Sequence, residues 1–264
     1  MGFGKPKKRF SQNFLVDHAI AEQIVSFLNL NSEDTVFEIG TGRGILTEII
    51  AQTGARLFSF EIDRDLMPQL KDKFSKYESV NIINCDFLSV APSEYHKGAF
   101  KLIGNIPYDI TSPLLDWMIK YRKSISLAVI TAQEELAERI SSCPGEKRWA
   151  PISIFSQSFF DIKIVLHISP KSFLPPPKVK SAVMIFNAAE KYRIANQEQF
   201  EKVVRLAFRH RRKLLINNLT EALDVKKEYL CEILDRLNFD RNIRAEQIDI
   251  DGFIRLADAL PNIS

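Results

Sequence analysis

The sequence predicts an α/β fold: a doubly wound, mostly parallel sheet followed by a small all-helical unit. Three observations carry this expectation. Short apolar runs alternate with segments of helical periodicity from Ile20 to Ile140, the pattern of a parallel sheet covered on both faces. A glycine-rich turn follows directly on the first of those runs. From about Asn187 the strand-like runs stop, and residues 197–260 are polar and helical in pattern. A length of 264 residues with 45% hydrophobic content supports one large core and a smaller second one.

The elements follow in order. Ile20, Ile24, Phe27 and Leu28 recur at helical spacing, which gives a helix before the first strand. Residues 35–39 form a short apolar run, read as a buried strand, and residues 45–51 a helix. A second strand is expected over 56–62 and a second helix over 65–74. Further strands are expected at 80–84, 101–103 and 126–130, with helices at 114–119 and 134–140. Closing strands are placed at 161–168 and 181–186. Pro175-Pro176-Pro177 between them is a rigid, extended loop, because proline suits neither helix interior nor central strand. The change of texture puts a domain boundary between residues 187 and 188, giving units of 1–187 and 188–264. Repeats and low-complexity segments are absent.

Composition narrows the function classes. The net charge of +3 is mild, but its distribution is uneven. Lys5, Lys7, Lys8 and Arg9 crowd the N-terminus, and Arg205, Arg209, Arg211, Arg212 and Lys213 crowd a late segment. Such local patches suit a phosphate backbone. Three widely spaced cysteines, Cys85, Cys143 and Cys231, have neither disulfide-framework nor metal spacing, so a reducing cytoplasmic compartment is expected. The four histidines lack ligand spacing, and no metal is expected. Apolar runs of membrane-spanning length are missing, and no signal-peptide pattern follows the basic start.

The glycine turn reads Glu38-Ile39-Gly40-Thr41-Gly42-Arg43-Gly44. Ligands of doubly wound sheets bind at the carboxyl ends of the strands, near the switch in strand order. Glycines there admit positive φ and close backbone approach. The helix start beyond offers free N–H groups to a carboxylate, such as that of a methionine moiety. Glu61, one strand–helix–strand unit on, is placed to bind both ribose hydroxyls. Asp86, at the third strand end, can accept from an adenine amino group. A nicotinamide dinucleotide fingerprint wants its third glycine one place later, where Ile45 stands. The spacing therefore favours a nucleoside cofactor without a pyrophosphate. A purely structural turn with solvent-facing acids is the plain alternative.

Gly104-Asn105-Ile106-Pro107-Tyr108 follows the fourth strand, again at the carboxyl edge. The lone pair of an adenine amino group is delocalised into the ring. Accepting hydrogen bonds from both of its N–H groups pulls the nitrogen toward tetrahedral geometry and makes it nucleophilic. The Asn105 side-chain oxygen and the Ile106 carbonyl are suitable acceptors. Pro107 stiffens the loop, and Tyr108 offers a face for an extruded base. Beside the glycine turn, this segment points to methyl transfer from S-adenosylmethionine to adenine. Most of the rate would come from alignment of nitrogen, methyl carbon and sulfur. A proline turn that merely closes a strand, with Tyr108 in the core, is the competing reading of the segment alone.

These residues resemble those of the ribosomal RNA adenine dimethyltransferases, over nearly the whole chain and most strongly in the bacterial small-subunit branch. Arg9-Phe10-Ser11-Gln12-Asn13-Phe14-Leu15 is similar to the family's N-terminal motif, which packs over the cofactor. By that match Asn13 and Leu15 join Gly40, Gly42, Glu61, Asp86 and Asn105 as cofactor-binding residues. Phe173-Leu174-Pro175-Pro176-Pro177-Lys178-Val179 is similar to a second signature, in which Phe173 would face Tyr108 across the target base. Arg244-Ala245-Glu246 also fits the ribosome-biogenesis branch. The large-subunit, antibiotic-resistance branch shares the clamp and usually lacks the latter two signatures. A DNA amino-methyltransferase clamp usually begins Asp/Asn-Pro-Pro, unlike Asn105-Ile106-Pro107.

The resemblance implies a Rossmann-like class I S-adenosylmethionine-dependent methyltransferase sheet with one reversed strand, and a helical C-terminal domain. It implies dimethylation of N6 on two adjacent adenosines in the 3′-terminal hairpin of small-subunit (16S) RNA during ribosome biogenesis. The partner would be a 30S assembly intermediate, and a monomer is the simplest expectation. Asp109, and the segment 147–152, depart from the family's usual residues.

Phe200, Val203, Val204, Ala207 and Phe208 follow helical spacing and make one apolar face, with Lys202, Arg205, Arg209 and Arg212 roughly opposite. A helix docked by that stripe would present a basic ridge to phosphates. Few acids offset these charges, so Arg205, Arg209, Arg211, Arg212 and Lys213 are the expected RNA contacts. An ordinary solvated face is the alternative.

Overall fold

The computed structural model describes residues 12–106, 110–189 and 191–261. The elements are β1 (Phe14–Leu15), α1 (His18–Ser26), β2 (Thr35–Ile39), α2 (Ile45–Ala51), β3 (Arg56–Glu61), α3 (Met67–Phe74), β4 (Val80–Asn84) and β5 (Phe100–Asn105). Then come α4 (Thr111–Lys120), β6 (Ile125–Gln133), α5 (Glu134–Ile140), α6 (Pro151–Phe159), β7 (Phe160–Ile168), β8 (Phe173–Leu174) and β9 (Ser181–Ala188). Four helices close the chain: α7 (Gln197–Ala207), α8 (Leu215–Leu223), α9 (Lys227–Arg236) and α10 (Ile250–Ala259). The chain forms two compact units. Asp161–Ala188 belongs with the preceding chain up to Ala137, and Glu138–Phe160 belongs with the chain from Ala189 on.

The first unit is built on a seven-stranded sheet of order β4-β3-β2-β5-β6-β9-β7. From β4 to β6 all neighbours are parallel, and β9 runs antiparallel to β6, the reversed direction the resemblance implied. The strand order reverses between β2 and β5. Each face of the sheet has its own core, because side chains alternate along a strand. On one face Val36, Leu57, Ile103, Val129 and Val183 pack with Ile24 of α1, Leu28 just beyond it, and Leu46 and Ile50 of α2. On the other, Phe37 stacks on Phe100 at 4.3 Å, and Phe60 meets Phe87 and Tyr95 edge-on at 5.4 and 5.2 Å. Trp117 of α4 closes this aromatic layer and donates its Nε1 hydrogen to the Val90 carbonyl at 2.9 Å, which satisfies its single donor.

Several expected bounds need adjusting. β5 extends to Asn105, so the clamp asparagine is a strand residue and not a loop residue. α3 starts at Met67 because Asp63 first folds the chain: its carboxylate accepts from Asp65 N and its carbonyl from Leu66 N. Pro68 then sits in the helix's first turn, where no N–H is needed. A two-residue antiparallel pair, β1 with β8, had no counterpart in the sequence reading. The same holds for α6, whose Ser153, Ile154, Phe155, Ser156, Ser158 and Phe159 are all buried.

The second unit is helical apart from the start of β7. Trp149 is its largest fully buried side chain and donates to the Ile248 carbonyl at 2.9 Å. Phe155 of α6 meets Phe200 of α7 edge-on at 6.2 Å. The expected basic helical ridge is corrected here. α7 ends at Ala207, so Arg205 lies on it while Arg209, Arg211, Arg212 and Lys213 lie in the following turn. Asn218 of α8 explains the stop. Its buried Nδ2 donates to the Ala207 carbonyl at 2.7 Å and to the His210 carbonyl at 3.1 Å, satisfying an acceptor that a continuing helix would use itself.

Candidate functional site

Because β4, β3, β2 and β5 are parallel neighbours, their carboxyl ends share one edge of the sheet. A cleft of about 270 Å³ opens there. Asn13, Leu15, Gly40, Gly42, Glu61, Asp86, Asn105, Ile106 and Phe173 all line it. These residues are spread from positions 13 to 173; the fold brings them to one wall. Pro107 and Tyr108, with Asp109, lie outside the described residues, as do Lys5, Lys7, Lys8, Arg9, Phe10 and Ser11.

The glycine turn follows the expected physics. Gly40, Gly42 and Gly44 have φ of 74°, 57° and 77°, the left-handed region that β-carbon sterics disfavour. Nothing lies within 4 Å of where a Gly40 Cβ would stand, so this backbone borders open cleft. Gly44 is different: a Cβ there would stand 2.6 Å from the Phe74 ring, so this glycine serves packing.

Glu61 closes the turn from the next strand. Its Oε2 accepts from Gly42 N and its Oε1 from Asp63 N, both at 2.8 Å. Burial raises its pKa above the ordinary carboxylate value, against the lowering effect of those two backbone donors. Asn84 Nδ2 donates to the Glu61 carbonyl at 2.7 Å and ties the ends of β3 and β4 together. Asp86 is exposed, and its side chain accepts from Leu88 N at 3.0 Å.

Glu38, the residue that opens the glycine motif and has no expected role from sequence, is the most perturbed carboxyl of this wall. It is 1% exposed. Its Oε2 accepts from Thr47 Oγ1 at 2.7 Å and from Ser59 Oγ at 2.6 Å. Ser59 spends its only hydrogen on Glu38, so the 2.6 Å contact between Thr41 Oγ1 and Ser59 Oγ has Thr41 as donor. Glu38 Oε1 has no hydrogen-bond partner among the described residues. Burial pushes the pKa up to about 7, outweighing the two hydroxyl donors. An acidic residue inside the apolar run Val36–Ile39 was the available signal.

The strap of residues 12–15 crosses this edge. Gln12 Nε2 donates to the buried Asp63 carboxylate at 3.1 Å. The Arg43 guanidinium lies 4.8 Å over the Phe14 ring. Phe14 and Leu15 pair with Leu174 and Phe173. Asn105 Nδ2 donates to the Asn13 carbonyl at 3.2 Å. The residues of this wall fit a nucleoside cofactor: an open glycine backbone, a buried carboxylate and an exposed one stand on adjacent strand ends. Among the described residues no group of three or more His, Cys, Asp or Glu side chains is arranged to hold a metal, and no helix is long and apolar enough to cross a membrane.

In the second unit the five basic residues differ in their surroundings. Arg205 lies 5.0 Å over the Phe155 ring. Lys213 pairs with Glu221 at 2.7 Å and Arg211 with Glu246 at 3.3 Å. Acids therefore do offset part of this charge; Glu221 and Glu246 are brought in by the fold from later in the chain. Arg209 and Arg212 are exposed and have no salt-bridge partner within 4.0 Å among the described residues.

Comparison with known proteins agrees with this geometry. Residues 4–259 match the family model for ribosomal RNA adenine dimethylase. The small-subunit ribosomal RNA methyltransferase A of Caldanaerobacter subterraneus subsp. tengcongensis is 36% identical over 263 residues, covering 97% of each chain. Among solved structures, the fold is shared with a dimethyladenosine transferase from Plasmodium falciparum, with a TM-score of 0.80, 24% identity and 92% and 95% of the two chains covered. The 23S rRNA methyltransferase ErmE superposes with a TM-score of 0.74 at 26% identity, over 94% of this chain and 99% of its own. A match over nearly the full length, on a sheet whose strand ends carry the motifs in register, establishes that this chain belongs to the ribosomal RNA adenine dimethylase family.

Proposed function

We propose that this enzyme transfers methyl groups from S-adenosylmethionine to N6 of two adjacent adenosines in the 3′-terminal hairpin of small-subunit (16S) ribosomal RNA, acting on a 30S assembly intermediate as a cytoplasmic monomer. It is an rRNA adenine methyltransferase, and its cofactor is S-adenosylmethionine. The observation that carries the finer reading is the shared wall: Asn105 and Ile106 border the same cleft as Glu61 and Asp86, on neighbouring strand ends.

In this reading the bound cofactor supplies a methyl group made electrophilic by its sulfonium. Glu61 holds the ribose hydroxyls, Asp86 accepts from the cofactor's adenine amino group, and the Gly40–Gly42 backbone, Asn13 and Leu15 line the remainder. Asn105 Oδ1 and the Ile106 carbonyl accept the two N–H bonds of the target adenine. That draws its lone pair out of the ring and aims it along the transfer line. The Ile106 N–H donates to the Thr131 carbonyl at 3.2 Å, which fixes this residue to the edge of β6. Phe173, 4% exposed, forms one side of a sandwich around the flipped base, with Tyr108 assigned to the other from the sequence. Arg205, Arg209, Arg211, Arg212 and Lys213 contact RNA phosphates.

Methyl incorporation by Asn105→Ala, with cofactor affinity measured alongside, tests the clamp. Incorporation falls by at least about 100-fold if Asn105 orients the nitrogen; activity near wild type removes it from the mechanism. Mass mapping of methylated nucleotides on unmethylated small subunits, beside the same assay on large-subunit RNA, tests the target. Modification of large-subunit RNA alone would establish the resistance-type activity instead.

A further inference from the structure

Asn105 has to present one particular end of its amide to the target, and an asparagine amide is nearly symmetric in shape. Only its partners distinguish oxygen from nitrogen. Here the partner is the main-chain carbonyl of Asn13, 3.2 Å from Nδ2. A carbonyl only accepts, so the amino end of Asn105 must face it. The reversed amide would set two acceptors against each other, and would turn a donor toward the N–H groups of an adenine. Asn105 Oδ1 has no hydrogen-bond partner among the described residues, so it is the end left for the substrate.

The carbonyl is held on both sides. Before it, Gln12 Nε2 donates to Asp63, a residue 2% exposed, at 3.1 Å. After it, Phe14 and Leu15 are paired with Leu174 and Phe173, and Val16 N donates to the Ser172 carbonyl at 2.9 Å. We propose that the Asn13 carbonyl, anchored by Gln12 and by the β1–β8 pair, is the positioning group that orients the Asn105 amide with Oδ1 toward the adenine amino nitrogen. The strap thus makes the clamp competent as well as covering the cleft. This inference rests on the assignment of Asn105 as acceptor.

The test is Asn105→Asp, measured beside wild type and Asn105→Ala at saturating cofactor, with folding checked by circular dichroism. Aspartate keeps the acceptor the chemistry needs but, once ionised, has nothing to donate to the Asn13 carbonyl. It regains a donor only when protonated. The ratio of Asn105→Asp to wild-type kcat is therefore low at neutral pH, and rises about tenfold per unit as pH falls toward the aspartate range near 4. A ratio that is flat with pH, whether near wild type or at background, overturns the proposal. Wild-type activity in Asn105→Ala removes the acceptor assignment beneath it, a separate failure seen in a separate variant.

Discussion

Replacing Glu38 by Gln removes one ionisable group from the interior of the sheet, and the consequence for stability has a defined sign. The folded-state pKa is about 7, against an ordinary value of 4.5. Between those values the folded protein keeps a proton that the unfolded chain has released. Raising the pH through this window therefore favours unfolding, and above about pH 7 the loss is complete. A shift from 4.5 to about 7, at about 1.4 kcal/mol per unit, is about 3 kcal/mol. The Gln variant lacks this loss. It has its own cost of about 1–3 kcal/mol, because its amide nitrogen takes the place of the unpartnered Oε1, but that cost does not vary with pH. The variant-minus-wild-type difference thus isolates Glu38, since every other titrating group is common to both. Hydrogen exchange of the β2 and β3 peptides, without cofactor, gives the opening free energy at each pH. From about pH 5 to pH 8 the difference should move in the variant's favour by about 2–3 kcal/mol. Two parallel curves would refute the argument and mean that Glu38 ionises freely where it stands.

Two further outcomes follow from the geometry. Gly44→Ala combines a φ of 77° with a Cβ 2.6 Å from the Phe74 ring, so it should cost about 2–4 kcal/mol in thermal or urea unfolding; a loss below about 1 kcal/mol would mean that the turn relaxes freely. Arg209→Ala and Arg212→Ala should each weaken RNA binding and lower the salt-dependence slope by about one, whereas Lys213→Ala, already paired with Glu221 at 2.7 Å, should do less. Equal slopes for all three variants and wild type would place the RNA on another surface.

Much of the first unit was legible because its signals are local. The runs at Thr35–Ile39, Ile45–Ala51 and Val80–Asn84 form the elements expected, with the same bounds. Other strand ends were not legible: β5 runs on through Gly104 to Asn105 and β6 through Thr131 to Gln133, because ladder pairing with the neighbouring strand continues past the apolar run. The β1–β8 pair was not legible, since two residues on each side carry no periodicity and the partners are far apart in sequence. α6 was missed because its buried positions include Ser153, Ser156 and Ser158, so burial there does not follow apolar residue type. The end of α7 was missed because the group that stops it, Asn218, belongs to the next helix. The apolar face of α7 was read correctly, but the pattern could not say where that face ceased to be helical.

The family, the order of the chemical groups, and their placement at the ends of successive strands were all legible before any fold was known. Those properties follow from residue type, spacing and resemblance. Which atoms meet is a matter of folding. Glu38 has a raised pKa because packing around β2 buries it completely, and the hydroxyls that β3 and α2 bring to its Oε2, Ser59 and Thr47, only partly offset that burial. Asn105 has an orientation because the strap supplies a carbonyl from far earlier in the chain. Lys213 is partly neutralised because α8 places Glu221 against it. Protonation, amide orientation and charge pairing depend on the nearest atom in space, and register and packing choose that atom.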